Sequence, residues 1–210
     1  MQLSAIYQSI QKDLAEVEAQ FRLLAESEWT AFPDFYRMLS HVLVGGKTIR
    51  PALALLSGKF YNYNFSTLLP MATACELMHI ATLVHDDAVD KSDVRRWQPT
   101  VNKVWGEDKA ILFGDYLFAR AGGFAADTQN LRVVKLFTQT LSIISQGELK
   151  QSFDAFNLEQ THEHYFQRIS SKTASLFSVA TESGAILSQA PEESIEILRE
   201  YGYNLGIAFQ

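Results

Sequence analysis

Cysteine and proline are scarce in this sequence of 210 residues, which contains one cysteine and five prolines. Because Cys75 is the single thiol, no internal disulfide can form, and the sequence predicts a reducing, cytoplasmic environment. The first residues lack the basic start and apolar stretch of a secretory signal. No apolar run approaches the ~20 residues that span a bilayer, so we expect no membrane-crossing segment.

Basic residues are also fewer than acidic residues. The chain has 18 lysines and arginines against 24 aspartates and glutamates, a formal net charge of −6. Such a chain lacks the broad basic face that nucleic acid requires, so nucleic-acid binding is excluded as the main function. Hydrophobic residues make up 47% and charged residues 20%, which is typical of a globular protein with a sizeable core. We expect one domain over residues 1–210.

Runs of alternating β-branched residues are missing, and apolar residues instead recur every three or four positions. The pattern predicts helices over residues 6–27, 35–44, 51–61, 68–89, 109–126, 131–155, 163–188 and 194–210, with a loop over 91–101. Gly45-Gly46 is expected to end the second helix, and Pro51 fits the first turn of the third. The helix over 68–89 is apolar all round and should be central. The fold class is therefore all-α, a large antiparallel helical bundle.

Three aspartates stand together at the end of this central helix. Asp86 and Asp90 are four residues apart and share a helix face, and Asp87 lies about 100° around. Like charges at this spacing destabilise a helix unless a cation joins them. Mg²⁺ takes oxygen ligands and commonly combines one or two carboxylates with substrate phosphates. The cluster predicts a magnesium site, although a solvated acidic helix end remains the simple alternative.

Basic and polar groups that suit a diphosphate occur at several places along the chain. Lys47 and Arg50 flank a glycine turn and a helix start, where an anion is favoured. Lys172-Thr173 lies within an apolar helix, where a lysine needs a partner. The remaining candidates are Arg95, Arg96 and His79. Taken alone, each basic side chain could be an ordinary surface cation, and His79 could be a core histidine. Their occurrence together with the acid cluster favours a diphosphate-binding site.

Seven short stretches together resemble the trans-prenyl diphosphate synthases of the polyprenyl synthetase group. They span residues 43–210 in the order that this family has. The stretches are Gly45-Gly46-Lys47-Thr48-Ile49-Arg50-Pro51, Leu83 through Asp90, Arg95-Arg96, Phe113-Gly114-Asp115-Tyr116-Leu117, Gln146-Gly147-Glu148, Lys172-Thr173-Ala174 and Gly206-Ile207-Ala208-Phe209-Gln210.

The resemblance implies an isoprenoid synthase-type bundle around a deep cavity, usually a homodimer, that joins isopentenyl diphosphate to an allylic prenyl diphosphate. Asp86 and Asp90 would bind Mg²⁺, with Asp87 assisting. Arg95 and Lys172 would be catalytic together with the three aspartates and would contact the allylic diphosphate. Thr173 and Gln210 would also bind that diphosphate. Isopentenyl diphosphate would be held by Lys47, Arg50, His79 and Arg96.

The resemblance also implies a product length. The chain would grow past Ala81 and Thr82, and because both are small, we expect a medium- or long-chain polyprenyl product. Such a product could bring the protein to a membrane surface.

Three features depart from the family pattern. Thr48 stands where a second cation is usual, and Trp97 stands where glycine is usual. The sequence stops at Gln210 without the second aspartate-rich motif and the last helices that similar proteins have. From this we expect a C-terminal truncation and an impaired chain.

Other functions remain open. The chain could be a non-catalytic or regulatory subunit that keeps the fold. It could be a terpene cyclase, although a cyclase needs no second diphosphate pocket and so no Lys47 and Arg50. A di-iron carboxylate bundle is disfavoured because we expect no inward-facing Glu-x-x-His pairs.

Overall fold

The computed structural model describes residues 6–29, 32–43, 48–155, 157 and 159–210. A short 3₁₀ turn, Gln8–Ile10, precedes the first helix. The helices are α1 Gln11–Trp29, α2 Pro33–Val42, α3 Ile49–Gly58, α4 Phe65–Val89, α5 Val101–Trp105, α6 Glu107–Asp127, α7 Leu131–Phe153, α8 His162–Ile169, α9 Ser175–Leu187 and α10 Glu192–Phe209. The expectation of an all-α bundle is confirmed.

Helix α4 is the centre of the bundle. It begins at Asn64, whose side chain accepts a hydrogen bond from the Ser66 amide at 3.1 Å. It packs most extensively on α6, and also on α3, α9, α1 and α5. Being covered on all these sides, it buries residues around its whole circumference, as its lack of a polar face predicts.

The expectation that no apolar segment is long enough to cross a membrane was wrong for α4. The helix has 25 residues and an 18-residue window of mean hydropathy 1.4. This window is 67% buried inside the bundle, and the core helix of a soluble protein meets the same criterion. Length and composition are therefore weak evidence for a membrane span here.

The helix expected over 163–188 is interrupted. Between α8 and α9, residues Ser170–Ala174 form a π-helical turn. Serine hydroxyls bond back to the helix backbone here: Ser171 Oγ donates to the Gln167 carbonyl at 3.0 Å, and Ser175 Oγ donates to the Ser171 carbonyl at 2.6 Å. Such bonds compete with regular helical hydrogen bonding. Such turns are frequent at functional sites, and this one contains Lys172 and Thr173.

The segment expected as a loop over 91–101 contains a small hairpin. Strands β1 Val94–Arg95 and β2 Gln98–Pro99 pair antiparallel, with Arg95 opposite Gln98. The two connecting residues, Arg96 and Trp97, have φ of 51° and 65°. Positive φ at both positions defines a type I′ turn, which normally favours asparagine and glycine. After the hairpin the chain enters α5, a short helix that the sequence analysis did not predict.

Candidate diphosphate site

A cavity of about 660 Å³ opens at the polar end of α4. The cavity-facing side of α4 comprises Glu76, His79, Leu83, Asp86 and Asp90, at successive intervals of three and four residues. The opposite wall comes from α3, the hairpin, the π turn and the end of α10. Its lining residues are Thr48, Ile49, Arg50, Arg95, Arg96, Lys172, Thr173, Phe209 and Gln210.

Lys172 joins two acidic side chains at the cavity. Its Nζ lies 3.0 Å from Asp86 Oδ2 and 2.8 Å from Glu148 Oε1. Burial raises the pKa of Asp86, and the ammonium of Lys172 opposes that shift. Glu148, on α7, was quoted in a motif without a role, so sequence reasoning missed its function as the second partner of Lys172.

Glycine lets α7 approach the π turn closely enough for this contact. A Cβ on Gly147 would lie 2.3 Å from Ser171 Oγ and 2.7 Å from Ser171 Cβ, so no larger residue fits without movement. Gly147 precedes Glu148 directly, and Ser171 precedes Lys172. The tight contact thus sets the distance over which the two charged side chains meet.

Asp87 points to the other side of α4 and pairs with Arg95. The Arg95 Nε donates to both carboxylate oxygens at 3.0 and 2.8 Å, and Nη2 donates to Oδ1 at 2.8 Å. The Asp87 side chain is 8% exposed, so its charge is compensated almost entirely by this arginine. Asp87 was expected to assist at the metal, but the structure engages both of its oxygens with Arg95.

The inner end of the cavity is cationic around one buried acid. Burial lowers the pKa of Arg50 to about 10, and its guanidinium lies 5.0 Å from the centre of the Phe177 ring. Burial and the neighbouring arginines 50, 96 and 95 lower the pKa of His79 well below its usual value. His79 is therefore neutral at pH 7 and can both donate and accept a hydrogen bond.

The end of α10 closes the cavity beside the π turn. Thr173 Oγ1 donates to Gln210 Oε1 at 2.8 Å, which brings together two residues that the sequence places 37 positions apart. Gly206 makes this approach possible, because a Cβ there would lie 2.5 Å from Ala174 Cα. Thr173 and Gln210, which the sequence analysis had assigned to the diphosphate site, thus line the cavity from neighbouring elements.

Asp86 and Asp90 fit a magnesium ion by their donor chemistry. Both present carboxylate oxygens to the cavity, and Mg²⁺ can complete its shell with water and substrate phosphates. Within the described part of the chain, no three His, Cys, Asp or Glu side chains converge as a preformed metal site. The position next to Asp86 is taken by the Lys172 ammonium, so a cation already resides where the sequence analysis expected one.

The remaining predicted residues have different outcomes. Lys47 lies outside the described residues, as do Gly45 and Gly46. Thr82 lines the cavity, whereas Ala81 is fully buried in the core. His85, next to the cluster, does not line the cavity, and its Nε2 lies 2.9 Å from the Ile111 carbonyl on α6.

One expectation about the sequence was wrong. Glu76 and His79 form a Glu-x-x-His pair, and both line the cavity. The argument against a di-iron bundle cannot rest on the absence of such a pair. It rests instead on the position of the second such pair, because Glu159 and His162 are both exposed and do not line the cavity. The described residues also contain no three-ligand cluster.

Comparison with known proteins shows the family of this chain. The polyprenyl synthetase family matches residues 33–210. A relative named heptaprenyl diphosphate synthase component 2, from Geobacillus stearothermophilus, is 35% identical over 100% of this chain and 65% of its own length. The structure of a decaprenyl diphosphate synthase from Rhodobacter capsulatus superposes with a TM-score of 0.92 at 40% identity, covering 99% of this chain and 63% of that one.

A polyprenyl synthase from Caulobacter crescentus, solved in complex with calcium and isoprenyl diphosphate, has a TM-score of 0.91 at 30% identity and covers 100% of this chain and 63% of that one. The chain therefore spans a little under two thirds of the length of these relatives. The family match covers most of the chain. The chain belongs to the polyprenyl synthetase family.

Proposed function

We propose that this protein joins isopentenyl diphosphate to an allylic prenyl diphosphate and makes a medium- or long-chain polyprenyl diphosphate. One observation carries the proposal. The Asp86–Lys172 pair and two further cations, Arg50 and Arg96, line the same 660 Å³ space. Two clusters of this kind suit two diphosphates, whereas a terpene cyclase binds one.

Magnesium belongs to this proposal. Asp86 and Asp90 would hold it, and when bound it would neutralise negative charge on the allylic diphosphate. The Caulobacter crescentus relative, which binds calcium and isoprenyl diphosphate, supports a divalent ion together with this substrate class.

The chain's own residues then bind and orient the allylic diphosphate. Lys172 and Arg95 supply positive charge near the group that leaves when the C–O bond breaks. Thr173 and Gln210, already joined by a hydrogen bond, offer polar atoms on the wall opposite Asp86. Because these groups are fixed by packing before substrate arrives, little reorganisation is needed during the reaction.

Water must be kept from the allylic cation. Apolar side chains of Ile49, Leu83 and Phe209 line the cavity between its polar ends. They provide a surface along which the isoprenoid chains can lie, and they exclude water that would quench the cation. The isopentenyl double bond attacks the allylic carbon, a proton is lost, and the product is five carbons longer.

A second candidate is a role as one subunit of a two-component synthase. The observation that favours it is the 35% identity with a heptaprenyl synthase component 2 over the whole chain. The paired Asp86 and Lys172 favour an active subunit over a purely regulatory one, because a regulatory subunit has no use for them.

We also propose that the protein assembles as a homodimer in the cytoplasm. Six large apolar side chains on α6 and α7 are between 41% and 86% exposed, which an assembly would cover: Ile111, Leu112, Leu131, Ile143, Leu149 and Phe153. Light scattering of the purified chain, alone and with a candidate partner, distinguishes a homodimer from a two-component complex.

The function is tested by incubating the protein with farnesyl diphosphate, isopentenyl diphosphate and Mg²⁺ and measuring product length. We expect D86N to lower turnover roughly hundredfold or more, since it removes an electrostatic contact of the transition state. The exposed Asp127 on α6 provides the control D127N.

Binding gives a second readout that does not depend on turnover. Inorganic diphosphate with Mg²⁺ should raise the melting temperature of the unmodified protein and of D127N, but not that of D86N. Equal stabilisation of all three proteins would contradict the proposed site.

A further inference from the structure

Glu148 is a charged residue beside the cavity to which the proposed function gives no task. It lies on α7 and is not among the residues that line the cavity, whereas its partner Lys172 is. The Glu148 Oε1 atom lies 2.8 Å from Lys172 Nζ. A carboxylate repels a diphosphate, so a favourable effect of Glu148 on substrate binding has to pass through this lysine.

Lys172 needs a fixed point if its charge is to stay in one place. Its ammonium ends a flexible four-carbon stem, and its side chain is 34% exposed, so water can compete for it. Across the described ranges, the ammonium pairs with Asp86 at 3.0 Å and with Glu148 at 2.8 Å. Two of its three N–H donors are thereby engaged, and the third is left for a substrate oxygen.

Under the proposed function, Asp86 cannot be the lasting partner of Lys172. Its carboxylate is also the proposed magnesium ligand, and it lines the cavity in which the diphosphate would bind. A metal ion at Asp86 would leave the lysine with Glu148. Because Glu148 does not line that cavity, it can keep its contact with the lysine while substrate is bound.

Two contacts of α7 flank Glu148 and fix it relative to the lysine. Immediately before it, Gly147 packs so closely on the π turn that an added Cβ would lie 2.3 Å from Ser171 Oγ. Two residues after it, Lys150 Nζ donates to Gln167 Oε1 on α8 at 2.7 Å. The carboxylate is therefore in place before substrate arrives.

We propose that Glu148 is a positioning residue that holds the Lys172 ammonium at the cavity wall, where the lysine binds the diphosphate of the allylic substrate. The inference rests on the proposed function, because that function brings an allylic diphosphate to Lys172. It adds a residue that touches neither the substrate nor the metal and acts through the lysine.

The test is calorimetric binding of farnesyl diphosphate at saturating Mg²⁺. E148A should weaken binding roughly tenfold, because the ammonium loses a charged partner and leaves its place at the wall. K172A should weaken binding at least as much. The decisive protein is the double variant E148A/K172A, which should bind no more than about twofold more weakly than K172A, because Glu148 has no effect without the lysine.

A matched control comes from another acid–base pair that joins α7 to a neighbouring helix. Arg132 Nη2 on α7 lies 2.5 Å from Glu192 Oε1 on α10, and neither residue lines the cavity. E192A should therefore leave the binding of farnesyl diphosphate unchanged.

The second substrate separates positioning from a general disturbance of the fold. Isopentenyl diphosphate, titrated in EDTA, should bind E148A as tightly as the unmodified protein, because Arg50 and Arg96 belong to other elements of the wall. Thermal melts show whether each variant folds. If E148A does not fold, E148Q takes its place. Its amide oxygen can still accept from the lysine, so it should weaken binding by a smaller factor, roughly fivefold, and this loss should vanish in the E148Q/K172A background.

The outcomes keep the two proposals apart. If the unmodified protein does not bind farnesyl diphosphate at saturating Mg²⁺, the proposed function fails and the inference fails with it. If it binds, a loss of about twofold or less in the Glu148 variant or in K172A overturns only the inference.

Three further results would also overturn the inference alone. Losses that multiply in the double variant would show that Glu148 acts independently of Lys172. Equal weakening of isopentenyl diphosphate binding would show a structural role. Full recovery of E148A when Mg²⁺ is raised further would show that Glu148 acts on the metal and not on the lysine.

Discussion

Arg95 donates three hydrogen-bond contacts to the two oxygens of Asp87, at 2.8 to 3.0 Å, and so joins the hairpin to the end of α4. The aspartate is 8% exposed and the arginine 39%. One carboxylate of the cluster therefore positions the cationic loop beside the cavity, while its neighbour Asp86 faces the cavity itself.

The first prediction concerns this pair. R95A should lower the free energy of unfolding by about 1–3 kcal/mol, because it leaves a buried carboxylate without its donors. Urea denaturation measures the effect. The control is R37A, since Arg37 and Asp34 form a pair whose side chains are 67% and 58% exposed. Such a surface pair should contribute less than about 1 kcal/mol. Equal losses in the two variants would show that Asp87 does not depend on Arg95.

A second prediction concerns acid stability. The pKa of His79 is lowered in the folded protein, so below its unfolded value of 6.5 the unfolded chain gains a proton that the folded chain does not. Stability is therefore lost as the pH falls from about 7 towards 5, by up to about 1.4 kcal/mol per pH unit for this one group. H79Q should flatten that part of the profile, measured by urea denaturation at pH 7.5, 6.5 and 5.5. The exposed His162 provides the control H162Q, which should keep the original slope. An unchanged slope in H79Q would contradict the prediction.

The type I′ turn leads to a third prediction. Trp97 has a φ of 65° and is 98% exposed, so its side chain gains little burial in exchange for a strained backbone. W97G should raise the free energy of unfolding by about 0.5–1 kcal/mol, because glycine adopts this conformation without a Cβ clash. W97A removes the indole but keeps the Cβ, so it should give no comparable gain. If both variants are stabilised equally, the indole and not the backbone is responsible.

The fourth prediction concerns the contact between α10 and the π turn. A Cβ on Gly206 would lie 2.5 Å from the backbone of Ala174, so G206A should force the two elements apart. We expect a loss of about 1–3 kcal/mol, as for other overpacked sites, together with a weaker response of the melting temperature to diphosphate and Mg²⁺. G123A, on α6, is the control because nothing lies within 4 Å of its added Cβ. It should be neutral or slightly stabilising. Equal melting temperatures for the two variants would contradict the packing argument.

The bundle and the cavity-facing side of α4 could be predicted from spacing alone. Intervals of three and four residues on α4 correctly align His79, Asp86 and Asp90, because helix geometry makes that alignment independent of tertiary contacts. The α4 helix was also correctly expected at the centre, since it has no polar face.

Other features depend on contacts that spacing does not encode. At the π turn, Gly147 lets α7 approach Ser171 closely, and this contact between distant residues has no local sequence signal. Similarly, the sequence does not distinguish Asp87 from Asp86 by charge. Asp87 pairs with Arg95 because the hairpin folds against that side of α4. The position of Glu76 at the cavity could have been predicted, because it stands three residues before His79 and shares its helix face. The sequence analysis did not consider it.

The Lys172 bridge has a consequence for how the protein is made. Since its ammonium lies between Asp86 and Glu148, the acidic wall carries a built-in counterion as soon as α4, α7 and the π turn meet. The nascent protein can therefore complete this region in a cell that is depleted of divalent ions. Under the proposed function, metal binding would be an exchange in which Lys172 yields its place at Asp86.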